Sequence, residues 1–275
     1  MNGRLANLPC SFLSLVLPLA AAPAIAQHAE AAHSWSYEGE HGPAHWGEVS
    51  PEYSVCRTGK HQSPIDIRGA TPAGLPPIVF SYAPSPLRII DNGHTVQVNY
   101  AADSFITVGG RRYDLVQFHF HHPSEERITG QAYRLSVHLV HKDLDGKLAV
   151  VAVLLKRGRQ NPFIEGLWKH LPADVGQERA PEGATVDLGQ LLPANHGYYA
   201  FTGSLTTPPC SEDVSWFVLK TPMEISKSEE AVFQQVREQC PPGAAAQRAL
   251  AASHQVAPGV SLRAELRDGP EVRAS

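Results

Sequence analysis

The sequence predicts a mainly β protein with a few short peripheral helices. Short apolar or alternating segments recur along the chain, and turn-forming residues separate them. Residues 148–156 form an almost continuous apolar run, which suits a strand that is buried on both faces. The chain has 275 residues, of which 43% are hydrophobic, so it is long enough to form one large domain with its own core.

The strand candidates lie between turn signals such as Asp91-Asn92-Gly93. In chain order they are residues 87–90, 96–100, 105–108, 117–121, 133–141, 148–156, 198–202 and 214–220. Residues 143–146 are predicted to form a hairpin turn, and residues 35–46 an ordered loop rich in aromatic residues. One helix is expected over residues 161–170, because Pro162 suits a first helical position.

Residues 1–26 have the pattern of a secretory signal peptide. Arg4 supplies the positive charge, residues 12–22 the apolar core, and Ala24-Ile25-Ala26 an A-x-A cleavage site. The alternative, a membrane anchor, is disfavoured because the apolar run is short and is interrupted by prolines. We therefore expect a secreted protein, periplasmic if the host is Gram-negative, with a folded domain over residues 27–238.

Charge and cysteine content limit the partners. The formal net charge is -4 and no cluster of Lys and Arg stands out, which argues against a nucleic-acid partner. No stable membrane anchor is expected after cleavage, and a homodimer is compatible with the sequence. Cleavage would remove Cys10 and leave Cys56, Cys210 and Cys240. An odd number in an oxidising compartment means that one cysteine is unpaired or spurious.

Two strand candidates carry histidines at positions that can converge. His119 and His121 share one face of the first strand, because side chains alternate along a strand. If the second strand lies antiparallel to the first, His138 comes to lie beside them. Three imidazoles that leave one coordination position open can hold a catalytic zinc ion. A buried histidine is more often a hydrogen-bonded core residue, and this interpretation applies where alternation turns the ring away from the cluster, at His122 and His141.

Several ordered motifs together resemble the α-class carbonic anhydrases, of the secreted bacterial type. The resemblance runs from about Trp35 to about Val236. The motifs are Trp35-Ser36-Tyr37, Gln62-Ser63-Pro64-Ile65, Asn92-Gly93-His94, the segment from Gln117 to His121, Pro123-Ser124-Glu125, His138-Leu139-Val140-His141, and Gly203-Ser204-Leu205-Thr206-Thr207-Pro208-Pro209. The resemblance implies a large twisted, mostly antiparallel sheet with zinc at the bottom of a conical cleft. It also implies reversible hydration of CO2 to bicarbonate and a proton.

The resemblance assigns the central roles residue by residue. His119, His121 and His138 match the zinc ligands, and zinc lowers the pKa of its water to about 7, a value for which carbonic anhydrase is itself the reference case. Thr206 matches the threonine that orients the resulting hydroxide. Its own hydroxyl proton must then point to an acceptor, and Glu125 is the matching carboxylate.

The remaining roles concern substrate, protons and cross-linking. His94 matches a proton shuttle whose pKa suits relay in both directions, and Tyr37 and Asn92 match residues that order the intervening water chain. Cys56 and Cys210 match a disulfide pair, and such a bridge typically contributes about 2–4 kcal/mol. The residues that match the substrate pocket are Val140, Val150, Leu205, Thr207 and Trp216.

The chain departs from the family in the groups that hold the ligands. Gln117 is in position to accept from the ring of His119. For His138 the family often supplies a glutamate two residues upstream, but here Ser136 is a weaker acceptor. Glu126 stands where many members have a histidine. We expect these departures to alter the properties of the site without abolishing its function.

The tail over residues 239–275 is atypical. Members normally close with a segment such as Asn-Ala-Arg-Pro-Val-Gln-Pro-Leu-Asn-Gly-Arg, whose asparagine carbonyl would hold His121. We hypothesise a frameshift, because one permitted set of codons for residues 239–250 yields that peptide when its first base is dropped. Cys240 would then be spurious, and the tail poorly ordered. The alternative is a genuine lineage-specific tail.

Three alternatives to CO2 hydration remain open. A non-catalytic, carbonic-anhydrase-like binding module is one alternative, but such proteins generally lack a ligand histidine. Catalysis impaired by the altered C-terminus is a second. A third is a zinc esterase that uses the same hydroxide, although the narrow apolar wall favours CO2.

Overall fold

The computed structural model describes residues 35–238 and the backbone of Arg263–Ala264. The expected signal peptide lies outside the described residues, and so does the tail from residue 239 apart from that short backbone segment. Strands dominate the described part, which confirms the predicted fold class. Among the helices in this part, none is long and apolar enough to span a bilayer.

The strands are numbered in chain order. They are β1 (Asp66–Ile67), β2 (Thr71–Pro72), β3 (Ile78–Ser81), β4 (Ser85–Pro86), β5 (Ile89–Asp91), β6 (Val96–Asn99), β7 (Phe105–Val108), β8 (Arg111–His121), β9 (Arg127–Ile128), β10 (Gln131–Ala132), β11 (Leu135–Lys142), β12 (Leu148–Arg157), β13 (Glu178–Arg179), β14 (Thr185–Val186), β15 (Tyr198–Gly203), β16 (Val214–Leu219), β17 (Met223–Ile225) and β18 (Arg263–Ala264). The α-helices are α1 (Trp46–Val49), α2 (Val55–Thr58), α3 (Pro162–Trp168) and α4 (Lys227–Glu238), and the 3-10 helices are Gly39–His41, Pro51–Tyr53 and Leu188–Leu191.

One 13-stranded sheet forms the centre of the fold. Its main path runs β13-β5-β6-β8-β11-β12-β16-β15-β18-β2, and β3, β7 and β17 join at its sides. Most neighbours are antiparallel, as expected, but β12 pairs in parallel with both β16 and β17, and β18 with β2. The three long strands β8, β11 and β12 lie side by side, and their backbone hydrogen bonds hold side chains that share a face. The β8–β11 register shifts once, between Val140 and His141.

Two apolar clusters cover opposite faces of this sheet, and β12 contributes to both. Val151 and Val153 belong to the larger cluster, which also contains Phe118 and Phe120 of β8. The intervening residues of β12, such as Ala152, belong to the smaller cluster on the other face. The continuous apolar run therefore is a strand buried on both faces. The histidine-bearing face of β8 and β11 is the face of the smaller cluster.

The observed strand ends differ modestly from those predicted. The strand expected at residues 117–121 begins at Arg111, because Gly109 and Gly110, both at positive φ, form a two-residue turn that pairs β7 directly with β8. The strand expected to start at residue 87 starts at Ile89. The segment 35–46 was expected to be a loop, but it contains a 3-10 turn and the first residue of α1.

Side chains at the N-terminal ends of α3 and α4 cap these helices. The Asn161 side chain accepts hydrogen bonds from the backbone N–H groups of Phe163 and Ile164, so it caps α3 close to where the sequence placed it. Helix α4 was missed. Its signal is the capping box of Ser226 and Glu229, in which each side chain bonds the other residue's backbone N–H.

Candidate metal centre

Three histidine rings meet on one face of the β8–β11 pair. The two strands are antiparallel, and His138 is directly opposite His119 in the register. The centroid of the His121 ring lies 4.9 Å from that of His119 and 4.4 Å from that of His138. One ring nitrogen from each histidine lies within 4.8 Å of the others, so this group could bind a metal ion.

His119 is neutral, and a hydrogen bond orients its ring. Its Nδ1 lies 2.9 Å from Oε1 of Gln117, so the carbonyl oxygen can accept that ring N–H and direct Nε2 towards the cluster. Burial, together with the nearby charge of His138, lowers the pKa of His119 to about 3. Because a metal binds the unprotonated imidazole, the ring needs to lose no proton at neutral pH before it can act as a ligand.

The carboxylates of two consecutive residues, Glu125 and Glu126, lie beside the rings of His121 and His138. Glu125 Oε1 lies 3.3 Å from Nδ1 of His121, and its Oε2 lies 3.8 Å from Nδ1 of His138. Glu126 Oε1 lies 2.9 Å from Nε2 of His138, and the Ser136 hydroxyl lies 3.4 Å from the same nitrogen. Burial would lower the pKa of His138, but the charges of Glu126 and Glu125 outweigh it and raise that pKa. Sequence reasoning noted Glu126 only as a departure from the family.

The loop that carries Thr206 is fixed from several sides. Ser63 and Ser204 exchange hydrogen bonds, each backbone N–H donating to the other hydroxyl, at 2.8 and 3.1 Å. The Trp216 indole N–H donates to the Ser204 carbonyl at 3.0 Å, and the Gln62 amide donates to the Cys210 carbonyl at 3.1 Å. The motif that begins at Gln62 thus supports this loop. Thr206 and Thr207 are half-buried on it.

The disulfide between Cys56 and Cys210 is formed, with the two Cα atoms 5.0 Å apart. It ties α2 to the end of the same loop. Both cysteines belong to an aromatic cluster that includes Tyr37 and Trp46, so the bridge is packed as well as covalent.

An apolar surface adjoins the histidines. Val150 and Trp216 are almost fully buried in the smaller cluster, and Val140 and Leu205 pack against it while remaining partly accessible. The Trp216 ring lies 5.0 Å from the His138 ring, measured between centroids. The structure therefore brings these four predicted pocket residues into one cluster beside the three histidines.

His94 lies at a turn, stacked on an aromatic ring. Its centroid is 3.8 Å from that of Trp35 with an interplanar angle of 14°, and 6.1 Å from that of Tyr37. Asn92 is exposed, and its side-chain oxygen accepts from the N–H groups of His94 and Thr95, which fixes this turn. The Trp35 stack was not foreseen, although the aromatic-rich segment around it was the available signal.

His122 and His141, which strand alternation turns away from the cluster, lie outside it. His122 Nε2 is 3.2 Å from Glu230 Oε1 and 3.1 Å from the Gln234 side chain, both on α4. The His141 ring is buried, with Nε2 2.9 Å from the Tyr82 hydroxyl, and burial lowers its pKa to about 4. Both have hydrogen-bonding roles in the fold rather than ligand positions.

Comparison with known proteins agrees with this geometry. The family model for eukaryotic-type carbonic anhydrase matches residues 41–247. A carbonic anhydrase of Nostoc sp. is 41% identical over 208 residues, which cover 74% of this chain and 79% of that protein. One from Neisseria gonorrhoeae is 42% identical over 223 residues, covering 80% and 87%.

Among solved structures, the α-carbonic anhydrase of Thermovibrio ammonificans in complex with sulfanilamide superposes with a TM-score of 0.75. It is 39% identical and covers 84% of this chain and 98% of its own. The fold, the arrangement of the three histidines and the extent of these matches lead to one assignment. The chain belongs to the α-class carbonic anhydrases, a family of enzymes.

Proposed function

We propose that the metal is zinc and that the protein catalyses the reversible hydration of CO2 to bicarbonate and a proton. The observation that carries the proposal is the convergence of His119, His121 and His138, whose ring nitrogens lie within 4.8 Å of one another. Imidazole nitrogens suit zinc, and three of them leave a position open for reactants. When bound, zinc lowers the pKa of its water to about 7 and so makes a nucleophile available at neutral pH.

Thr206 is proposed to orient the attacking oxygen. Glu125 is 8% exposed and contacts two of the ligand rings, so it is close to the reaction site and shielded from water. A carboxylate accepts but does not donate, so a Thr206 hydroxyl that donates to Glu125 must use its lone pairs towards the nucleophile. The hydrogen bonds and the disulfide that fix the Thr206 loop support this role, because orientation requires a rigid group.

The apolar cluster is proposed to receive CO2. Carbon dioxide has no net dipole and no proton to donate, so it gains little from polar groups. Val140, Val150, Leu205 and Trp216 provide an apolar surface beside the histidines, with Thr207 on the adjoining loop.

His94 is proposed to carry protons between the site and solvent. It is half-buried, so it can exchange protons with bulk water. An imidazole can relay in both directions near neutral pH. Trp35 holds the ring by stacking, and Tyr37 lies close enough to help order the intervening water.

The test is zinc-dependent CO2 hydration by the chain from Gln27 onward. We expect rapid hydration that is lost on chelation and in His119→Ala, but retained in His45→Ala, which removes an exposed histidine. If the chain as written shows no hydration activity, the same assay on a frame-restored chain decides whether the tail or the site is the cause. Recovery would assign the defect to the tail, whereas continued silence would refute the catalytic proposal. Comparable rates on an activated ester would favour a hydrolase.

His94 needs a test of its own. His94→Ala should lower kcat at low buffer concentration, with KM little changed, and added imidazole buffer should restore the rate. A loss that imidazole does not restore would contradict the shuttle role.

We also propose that the protein is exported. The disulfide between Cys56 and Cys210 supports this, because such bridges persist in oxidising compartments. Fractionation of the native host should find the chain outside the cytoplasm, beginning at Gln27. A full-length cytoplasmic protein would refute the proposal.

A further inference from the structure

The carboxylate of Glu126, near the three histidines, is fully buried and closely approaches one side chain, that of His138. Glu126 is 0% exposed, and neither of its carboxylate oxygens forms a hydrogen bond with another described residue apart from its close approach to His138. An uncompensated buried carboxylate is strongly unfavourable. Its retention in this position therefore calls for a favourable interaction, and Nε2 of His138 at 2.9 Å is the candidate.

The backbone holds Glu126 in this place. Ser124 donates its hydroxyl to the Glu126 carbonyl at 2.8 Å, and the same hydroxyl accepts from the Tyr133 N–H at 2.9 Å. The Ser124 N–H donates to the Tyr133 carbonyl at 3.1 Å, which completes a two-way link between the loop after β8 and the segment just before β11. Glu126 is thus tied to the strand that carries His138.

The two carboxylates approach the ring of His138 from different ends. Glu125 is near Nδ1 and also contacts the ring of His121, whereas Glu126 is near Nε2. A carboxylate that accepts a ligand's distal N–H fixes the tautomer and raises the basicity of the coordinating nitrogen. Ser136 approaches the same Nε2, but a hydroxyl at 3.4 Å is a weaker partner.

We infer that Glu126 is the positioning residue for His138, and that it supplies from the loop the carboxylate that position 136 of β11 lacks. The inference rests on the proposed metal site and deepens it. Glu126 accepts Nε2–H of His138, so that Nδ1 is the nitrogen that would bind the metal. The group of Glu125, Glu126 and His138 is therefore part of this one site rather than a second metal site.

The experiment measures zinc affinity by chelator competition on the otherwise unchanged full chain, without any substrate. Glu126→Gln, which keeps the size but removes the charge, should weaken zinc binding by about 10–100-fold. Glu165→Gln neutralises a surface carboxylate on α3 that pairs with Lys169, and it should leave the affinity unchanged. Near-UV circular dichroism of the metal-free proteins checks that each variant is folded.

Relocation of the carboxylate separates positioning from packing. Glu126→Ser should lose affinity, and the double variant with Ser136→Glu should regain most of it, because position 136 already reaches Nε2. Ser136→Glu alone should destabilise the chain, since it buries a second like charge beside Glu126. The effects of the two substitutions on zinc affinity should therefore be strongly non-additive.

The Nε2–H proton of His138 offers a direct readout. In the zinc-loaded protein its NMR signal should be protected from exchange, and in Glu126→Gln it should shift or disappear. Wild-type zinc affinity in Glu126→Gln, or no regain in a folded double variant, would overturn the inference. Failure of the wild type to bind zinc would instead refute the proposed function, so the two failures can be told apart.

Discussion

His138 lies directly opposite His119 across the antiparallel pair β8–β11, with their ring centroids 5.5 Å apart. Neighbouring strands fix such cross-strand pairs through backbone hydrogen bonds. The backbone therefore sets the positions of these two rings, which favours a metal site that exists before the metal binds.

Removal of one ring should abolish tight metal binding without unfolding the sheet. His119→Ala should reduce zinc content from about one per chain to near zero, because a catalytic zinc site uses three protein ligands and only two imidazoles would remain. Elemental analysis after dialysis provides the measurement, and His45→Ala is the control. Stoichiometric zinc in His119→Ala would place the metal elsewhere.

Gly203 is needed for close packing beneath the Thr206 loop. A Cβ built there would meet the Ser63 hydroxyl oxygen at 2.1 Å and ring atoms of Phe201 and Trp216 at 3.0 Å. Gly203→Ala should therefore destabilise the fold by about 1–3 kcal/mol through overpacking. Urea denaturation provides the measurement.

Gly74→Ala is the matched control, because nothing lies within 4 Å of its added Cβ. It should change the free energy of unfolding much less than Gly203→Ala. Equal effects at the two positions would show that local packing at Gly203 is not the cause.

Gly166 should respond in the opposite direction. It is exposed within α3, and an added Cβ would meet no atom within 4 Å. Since alanine loses less backbone entropy in a helix, Gly166→Ala should stabilise the chain by about 0.5–1 kcal/mol. Thermal denaturation of the variant and the wild type would detect the gain, and a lower melting temperature would contradict it.

The Cys56–Cys210 disulfide should contribute measurably to stability. Double substitution by serine should lower the free energy of unfolding by about 2–4 kcal/mol, because the bridge closes a long loop in the unfolded chain. Reductant should destabilise the wild type by a similar amount and leave the variant unaffected. An equal response of both proteins to reductant would exclude this bridge as the cause.

Glu230 should make stability depend on pH. It is 1% exposed on α4 and accepts from Arg134, Arg157 and His122. Burial alone would raise its pKa, but these hydrogen bonds lower the pKa from 4.5 to about 2. The unfolded chain therefore binds more protons between those values, so this contribution is complete above about pH 4.5 and is lost as pH falls towards 2.

Glu230→Gln should remove that dependence and lower the free energy of unfolding at pH 7 by about 2 kcal/mol. Denaturation curves from pH 3 to 7 provide the measurement, with Glu165→Gln as the exposed control. A variant with the slope of the wild type would assign the acid sensitivity to other groups.

Much of the site could be predicted because strand alternation is a local rule. Phe118 and Phe120 alternate with His119 and His121, so one face of β8 had to be apolar and the other had to carry imidazoles. The same rule assigned His141 to the opposite face, where it contacts Tyr82. Helix α4 could also have been found, since its capping box is a signal in the sequence itself.

The role of Glu126 could not be read in this way. Next to a second carboxylate in a loop, it appeared as a substitution at a familiar position, and nothing local indicates that it is fully buried beside His138. The stacking of Trp35 on His94 likewise joins segments far apart in the chain. By itself, the sequence determined the mainly β fold and the histidines that share a face, because those follow from local periodicity. Only the tertiary structure decided which acceptor holds each ring, because that depends on loops folding back onto the strands.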